Sequence, residues 1–420
     1  MEKSPIKLYR PYKLFLSLFF LCLIVSLFLS SPSELFAGYA RILTSPSLLV
    51  TDYVFLGGLP AAVWNASTVG LLSTAVMIFS RVKPNGATIM GIFLNFGFAF
   101  FGKNILNMLP LLLGVWLYAK KRREPFLHYS LVALLSSTVA PIVSEVAFGG
   151  FLSPWLDAVF AVLLGLFVGF IMPVVSAASV RVHEGYNLYN IGFAGGLITM
   201  VFYLFAKGFG IPVTPGQDIN YDHSSRLAVF LYAISVVLIV FGLVFGKKND
   251  RKHLKRLLKS SGRAVSDYYL LHGDSIFLNM GVLCALATTA MLLLGVSISG
   301  PVVGGILTIT GFGCFGKHPR NVFPVMAGAI VSAAFNVYDF HGMPNVLAIL
   351  FSTGLAPIAG QFGAPWGFVA GFLHVAVATQ IGVINGGLNL YNNGFTAGFI
   401  ALLLAPLIAT LRNEPKKERL

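Results

Sequence analysis

The chain has 420 residues, of which 56% are hydrophobic and only 10% charged, with a formal net charge of +14. Soluble domains carry roughly 25% charged residues, so this composition excludes a soluble core and predicts an all-α polytopic membrane protein. The basic residues fall in short clusters between apolar runs, the pattern of cytoplasmic loops rather than of a nucleic-acid-binding surface.

Seven apolar segments are predicted in the first half, at 14–30, 61–80, 86–101, 105–119, 127–147, 153–178 and 190–206. Seven more follow at 227–246, 276–296, 300–315, 320–337, 345–360, 366–384 and 394–411. Most approach the ~20 residues needed to cross a bilayer core. The N-terminus imitates a signal peptide, with Ala37-Gly-Tyr-Ala40 after its apolar run, but that run is too long for an h-region. It is expected to stay as the first span. Cys22, Cys284 and Cys314 lie singly in apolar segments and predict neither a disulfide framework nor a metal site.

The halves repeat each other. Phe101-Gly102-Lys103-Asn104, with Asn107, Pro110 and Gly114, returns 214 positions later as Phe315-Gly316-Lys317-His318, with Asn321, Pro324 and Gly328. Asn65, Met77, Gly86 and Gly97-Phe98 keep the same offset, matching Asn279, Met291, Gly300 and Gly311-Phe312. Asn187-Leu-Tyr-Asn190 returns as Asn389-Leu-Tyr-Asn392 at an offset of 202, and Ala140-Pro141-Ile142 as Ala356-Pro357-Ile358 at 216. The chain therefore divides into transmembrane repeats over 1–210 and 225–420.

Charge placement orients them. Lys3–Lys13, Arg81/Lys83, Lys120–Arg123, Lys247–Arg263 and the basic C-terminus fall inside. The segment 31–60, Asp218, Asp222 and Asp339 fall outside. Each repeat then crosses an odd number of times, so the two are inverted. The short third and fourth segments of each predict a re-entrant hairpin with Lys103 or Lys317 near its tip, leaving about five spans per repeat. Ten crossings are preferred to fourteen. The expected location is the inner (cytoplasmic) membrane, with both termini cytoplasmic.

Both lysine motifs read as a glycine stop, a cation and a helix start. Asn104 is a good N-cap, and Pro319 stands where proline favours a first helical turn. Non-helical backbone at membrane depth is tolerated only inside protein or beside a water-filled cavity. An intramembrane lysine costs several kcal/mol unless it is paired or hydrated, on the order of 3 kcal/mol by insertion scales. Lys103, Asn104, Lys317, His318 and Arg320 are thus candidate solute-binding groups. The bland alternative has each lysine snorkelling to an interface or pairing with an acid such as Glu145.

Asn187, Tyr189, Asn190, Asn389, Tyr391 and Asn392 offer amide and hydroxyl groups to a pore vestibule, or serve only as caps and interfacial tyrosines. Glu145, His183 and Glu184 are weaker candidates, for proton coupling. His183-Glu184 has no counterpart in the second repeat, and a pair at the cytoplasmic surface is its plainer reading. His374 stands in a span without a matching histidine. No HExxH, P-loop, GxSxG or Rossmann glycine pattern is present, so neither an enzyme nor an ATP-driven pump is expected. No cofactor or metal is expected either.

The Phe-Gly-Lys motifs at 101–103 and 315–317 and the Asn-Leu-Tyr-Asn motifs resemble a family of bacterial integral membrane proteins, domain of unknown function 1576. Its members carry that domain in duplicate, and the resemblance covers most of the chain without implying an activity. In architecture alone, inverted repeats of about five spans plus a re-entrant pair are similar to urea channels, though no filter motif matches residue by residue.

The expected function is a channel or secondary transporter for a small solute, with its pathway between the inverted repeats. The paired lysines favour an anion slightly over a neutral molecule. The alternatives are a non-transporting membrane scaffold or lipid-handling protein, and behind them a lipid-processing enzyme. Expected partners are the solute or ion and membrane lipid, with no nucleic acid; a homo-oligomer is compatible with the same reading.

Overall fold

The structure, a computed structural model, describes residues 8–213, 218–263 and 266–412. Lys3 and the Lys416–Arg419 cluster, which help orient the chain, lie outside the described residues. The protein is an all-α polytopic membrane protein. Among the described residues, ten helices are long and apolar enough to cross a bilayer, five in each half.

The first half contains α1 (Arg10–Leu27), α2 (Leu59–Phe79), α3 (Gly86–Phe98) and α4 (Ile105–Arg122). It continues with α5 (Ser130–Phe148), α6 (Pro154–His183) and α7 (Asn190–Gly208). The second half runs in the same order. It contains α8 (Ser224–Phe245), α9 (Tyr268–Leu293), α10 (Gly300–Gly311) and α11 (Pro319–Phe335). It ends with α12 (Met343–Phe362), α13 (Ala364–Asn385) and α14 (Asn392–Leu411). Thus α1 to α7 correspond one by one to α8 to α14. Short helices Pro32–Leu43 and Tyr53–Gly57 occupy the loop between α1 and α2.

Neither α3 nor α10 is long enough to span, and both are buried along their whole length. They pack on each other antiparallel. The start of α3 lies against the end of α10, where Cys314 Sγ donates to Gly86 O at 3.1 Å. At the other end, a Cβ on Gly300 would come within 2.6 Å of Phe100 O. Two aspartates cap this central pair from the opposite repeat. Asp267 accepts the Gly86 N–H through both carboxylate oxygens, each at 2.9 Å. Asp52 faces Gly300 in the same way, with its Oδ1 2.3 Å from where a Cβ there would stand.

The breaks after α3 and α10 have a local cause. Gly102 (φ 74°) and Gly316 (φ 98°) take up left-handed conformations that cost a side-chain-bearing residue free energy. The following helices start on reciprocal capping boxes, Asn104 with Asn107 and His318 with Asn321. An asparagine braces each break: Asn65 Nδ2 donates to Ala99 O (2.7 Å) and Lys103 O (2.8 Å). Asn279 Nδ2 donates to the equivalent Gly313 O (2.7 Å) and Lys317 O (2.9 Å).

Glycines let the outgoing helices approach their partners closely. A Cβ on Gly114 of α4 would lie 2.2 Å from Leu166 O of α6, and one on Gly328 of α11 would lie 1.9 Å from Phe368 O of α13. The fourth segment does not fold back along the third. Instead α3 packs on α2 and α10, while α4 packs on α6. The expected hairpin is therefore splayed, each arm buried against a different neighbour.

Candidate functional site

The site is built where the two kinds of repeated motif meet. Leu390 presses on Gly102, its Cδ2 2.3 Å from the position a Cβ would take; Leu188 presses on Gly316 in the same way, at 2.8 Å. Each Phe-Gly-Lys break is thus plugged by the Asn-Leu-Tyr-Asn loop of the other repeat. Backbone bonds fix the loops, from Leu188 N to Gly354 O (3.0 Å) and from Leu390 N to Thr138 O (2.9 Å). The acceptors lie beside kinks where α5 and α12 tighten to 3₁₀ geometry, at Ser137–Val139 and Thr353–Leu355.

Both lysines are fully buried. Lys317 Nζ donates to the Tyr189 hydroxyl and, at 2.7 Å, to Thr353 Oγ1. It also lies 4.5 Å from the Tyr189 ring centroid and 4.9 Å from that of Phe312. Lys103 Nζ donates to Asn95 Oδ1 at 2.5 Å and stands 5.2 Å from the Phe98 centroid. Tyr189 and Tyr391 join the two halves, with centroids 4.5 Å apart, and Tyr391 packs edge-on against Phe98 at 5.1 Å. No acidic group pairs with either ammonium among the described residues. An anionic partner is what such an arrangement lacks, because a buried cation without one carries an uncompensated desolvation cost.

Of the expected binding residues, Lys317 meets Tyr189, which stacks on Tyr391, and Lys103 is linked to this pair through Phe98. The asparagines do other work. Asn187 Nδ2 donates to Gly394 O (2.9 Å) and Asn389 Nδ2 to Gly192 O (3.0 Å), each reaching across to the other repeat. Their Oδ1 atoms accept the Tyr189 and Tyr391 N–H groups. Asn190 is held by His183 Nε2 (2.9 Å) and Ser176, while Asn392 bonds to Asn385 at 2.5 Å. These four amides are latches, already committed to protein partners.

Asn104 and His318 are buried helix caps, bonded to Ile42 O and Ser260 O. Arg320 is exposed on the first turn of α11 and contributes no buried charge to the centre, a correction to its expected place beside Lys317. His183 and Glu184 do not pair either. The chain turns left-handed at Glu184 (φ 50°), sending that carboxylate to the exposed side, 3.9 Å from Arg263 Nη2, while His183 points inward. Glu145 is buried but apart from both lysines, on an apolar cavity of about 490 Å³ between α5, α6 and α7. His374 contacts Asn393 at 3.0 Å.

Asn95, Ser137 and Thr353 were not foreseen from the sequence. A signal existed for the last two: they stand at equal distances before the repeated Ala-Pro-Ile motifs. Asn95 had none, because its counterpart in the second repeat is Ile309.

No curated protein and no solved structure matches this chain, so the architectural likeness to urea channels gains no support. A family model described as "Protein of unknown function (DUF1576)" matches residues 31–207 and 247–410, one stretch in each repeat. The chain belongs to the DUF1576 family.

Proposed function

We propose that the protein is a channel or secondary transporter for a small solute, with anions favoured and the pathway running along the interface of two inverted repeats. One observation carries this reading: two fully buried lysines, one per repeat, flank the Tyr189–Tyr391 pair, Lys317 on Tyr189 and Lys103 on Phe98, which packs against Tyr391, with no acidic partner for either among the described residues. Five candidate spans per repeat and the antiparallel α3–α10 pair support inversion, since an odd number of crossings turns the second repeat over. The helices α3 with α4, and α10 with α11, are then splayed re-entrant pairs that bring irregular backbone into the membrane where protein covers it. Both termini would be cytoplasmic, in a bacterial inner membrane. The role is non-enzymatic, with lipid as surroundings and the solute as partner.

With both ammonium groups enclosed, the arrangement corresponds to an occluded state. Solute entry would require Leu188 or Leu390 to lift from its glycine. The test is reconstitution into liposomes with a panel of small anions, urea and ammonium. Selective flux supports the reading, and a membrane tight to every solute sinks it.

A second reading, a scaffold or lipid-handling protein, draws on the apolar cavity beside Glu145. It predicts no flux and a lipid that copurifies in a fixed ratio.

A further inference from the structure

The two lysines are not equivalent, and the difference points to a ligand. Lys317 is provided with two hydroxyl acceptors, from Tyr189 and Thr353. Among the described residues, Lys103 has a single acceptor, Asn95 Oδ1, which it shares with the Ser137 hydroxyl at 3.1 Å. The same amide carries a fully buried Nδ2 with no hydrogen-bond partner. Next to it, Phe98 supports the ring of Tyr391. The buried hydroxyl of Tyr391 faces that of Tyr189 but makes no hydrogen bond of normal geometry.

An ammonium has three hydrogens to donate and an amide nitrogen two. Around Lys103, then, donors outnumber acceptors. The unpartnered acceptor Asn65 Oδ1 belongs to an amide whose nitrogen is committed to main-chain carbonyls of the same break. A buried donor left unmade costs about 1–3 kcal/mol, more when charged, and each of these groups would be satisfied by one negative ligand.

We propose that Lys103 Nζ and Asn95 Nδ2 form a binding site for a small monovalent anion of the halide class. A single ammonium balances a single charge. The Phe98 ring beside Lys103 packs with Phe351 and Tyr391, with centroids 5.1–6.0 Å apart, and such close packing favours a small ion over a larger one. This deepens the transport reading and rests on it for its purpose, but not for its existence: binding can be measured without flux.

The experiment is a chloride titration by calorimetry on the full chain in detergent, starting from chloride-free gluconate buffer. Wild type is expected to show one saturable chloride site, and bromide should compete for it. Asn95→Asp places a carboxylate of the same size beside Lys103, supplying an internal counterion. It should abolish chloride binding while the melting temperature holds or rises. Gly208→Ala, where an added Cβ meets nothing within 4 Å, should leave binding within about twofold.

No saturable binding by wild type, or an Asn95→Asp protein that binds chloride as wild type does, overturns the proposal. Flux assays on the same preparations separate it from the broader reading. If other solutes permeate but chloride never binds, this site is wrong and transport stands. If chloride binds at Lys103 and nothing permeates, the site stands and transport falls.

Discussion

Leu390 fills the space above Gly102, its Cδ2 2.3 Å from where a Cβ would stand. That contact joins the two repeated motifs of the chain, one from each repeat, and Leu188 with Gly316 repeats it. It explains why the motifs occur together: the left-handed glycine that breaks the helix is also the seat for the loop that closes the break.

Gly102→Ala would meet both constraints at once, an unfavourable φ of 74° and a side chain already in place. A loss of about 2–5 kcal/mol is expected, from backbone strain of ~1–2 kcal/mol and overpacking of ~1–3 kcal/mol. Gly102→Ala combined with Leu390→Ala should recover the packing part and not the strain. Thermal melts in detergent read this directly. A Gly102→Ala protein as stable as wild type would show that the plug is not tight.

The asparagine braces should matter equally in the two repeats. Asn65→Ala and Asn279→Ala each free two buried carbonyls. Each should destabilise by about 2–4 kcal/mol, with a Leu substitution no better because packing is not what the amide supplies. Cysteine accessibility at residue 103 or 317 should rise in the matching variant alone.

Asp52 lies in the loop between α1 and α2, outside the candidate spans. Burial pushes its carboxyl up to about 6 from the ordinary 3.8, against the pull of backbone N–H donors from Val54, Asn220 and Gly300. The folded protein therefore holds a proton between those values that the unfolded chain has released. This group's contribution to stability is greatest below pH ~4 and falls as pH rises through ~6. Melting temperatures of wild type should show this decline between pH 4 and 6, and Asp52→Asn should flatten it. An unchanged slope in Asp52→Asn would assign the titration elsewhere.

Helix crossings offer a contrast with a built-in control. Gly328→Ala would put a methyl 1.9 Å from Phe368 O, whereas Gly208→Ala has nothing within 4 Å. The first should lower stability by about 1–3 kcal/mol. The second should be neutral or slightly stabilising, as alanine favours the helix.

Much of the fold is legible in the sequence, because apolar length and cationic loops are one-dimensional signals that the bilayer enforces. The lysine breaks are legible too: glycine, asparagine and proline have local backbone preferences that hold in any context. What stays hidden is which side chain each polar group faces. Asn187 and Asn389 read as pore-lining groups, yet each reaches across to a carbonyl of the opposite repeat, a partner fixed only by tertiary packing. Arg320 reads as a central charge from its position beside Lys317, but it stands on the first turn of α11 with an exposed side chain, while Lys317 lies in the break before that helix and is fully buried. Asp52 and Asp267 escaped notice because their partners, Gly300 and Gly86, lie in the other repeat.

The central claim is that the two buried lysines line one solute pathway. Its most direct test is anion flux into proteoliposomes of wild type, Lys103→Met, Lys317→Met and the double variant, each verified as folded by its melting temperature. Methionine keeps length and apolar bulk while removing the charge. Flux should fall at least about tenfold in either single variant and little further in the double, since the lysines act on one path. Full wild-type flux in a folded double variant would contradict the account.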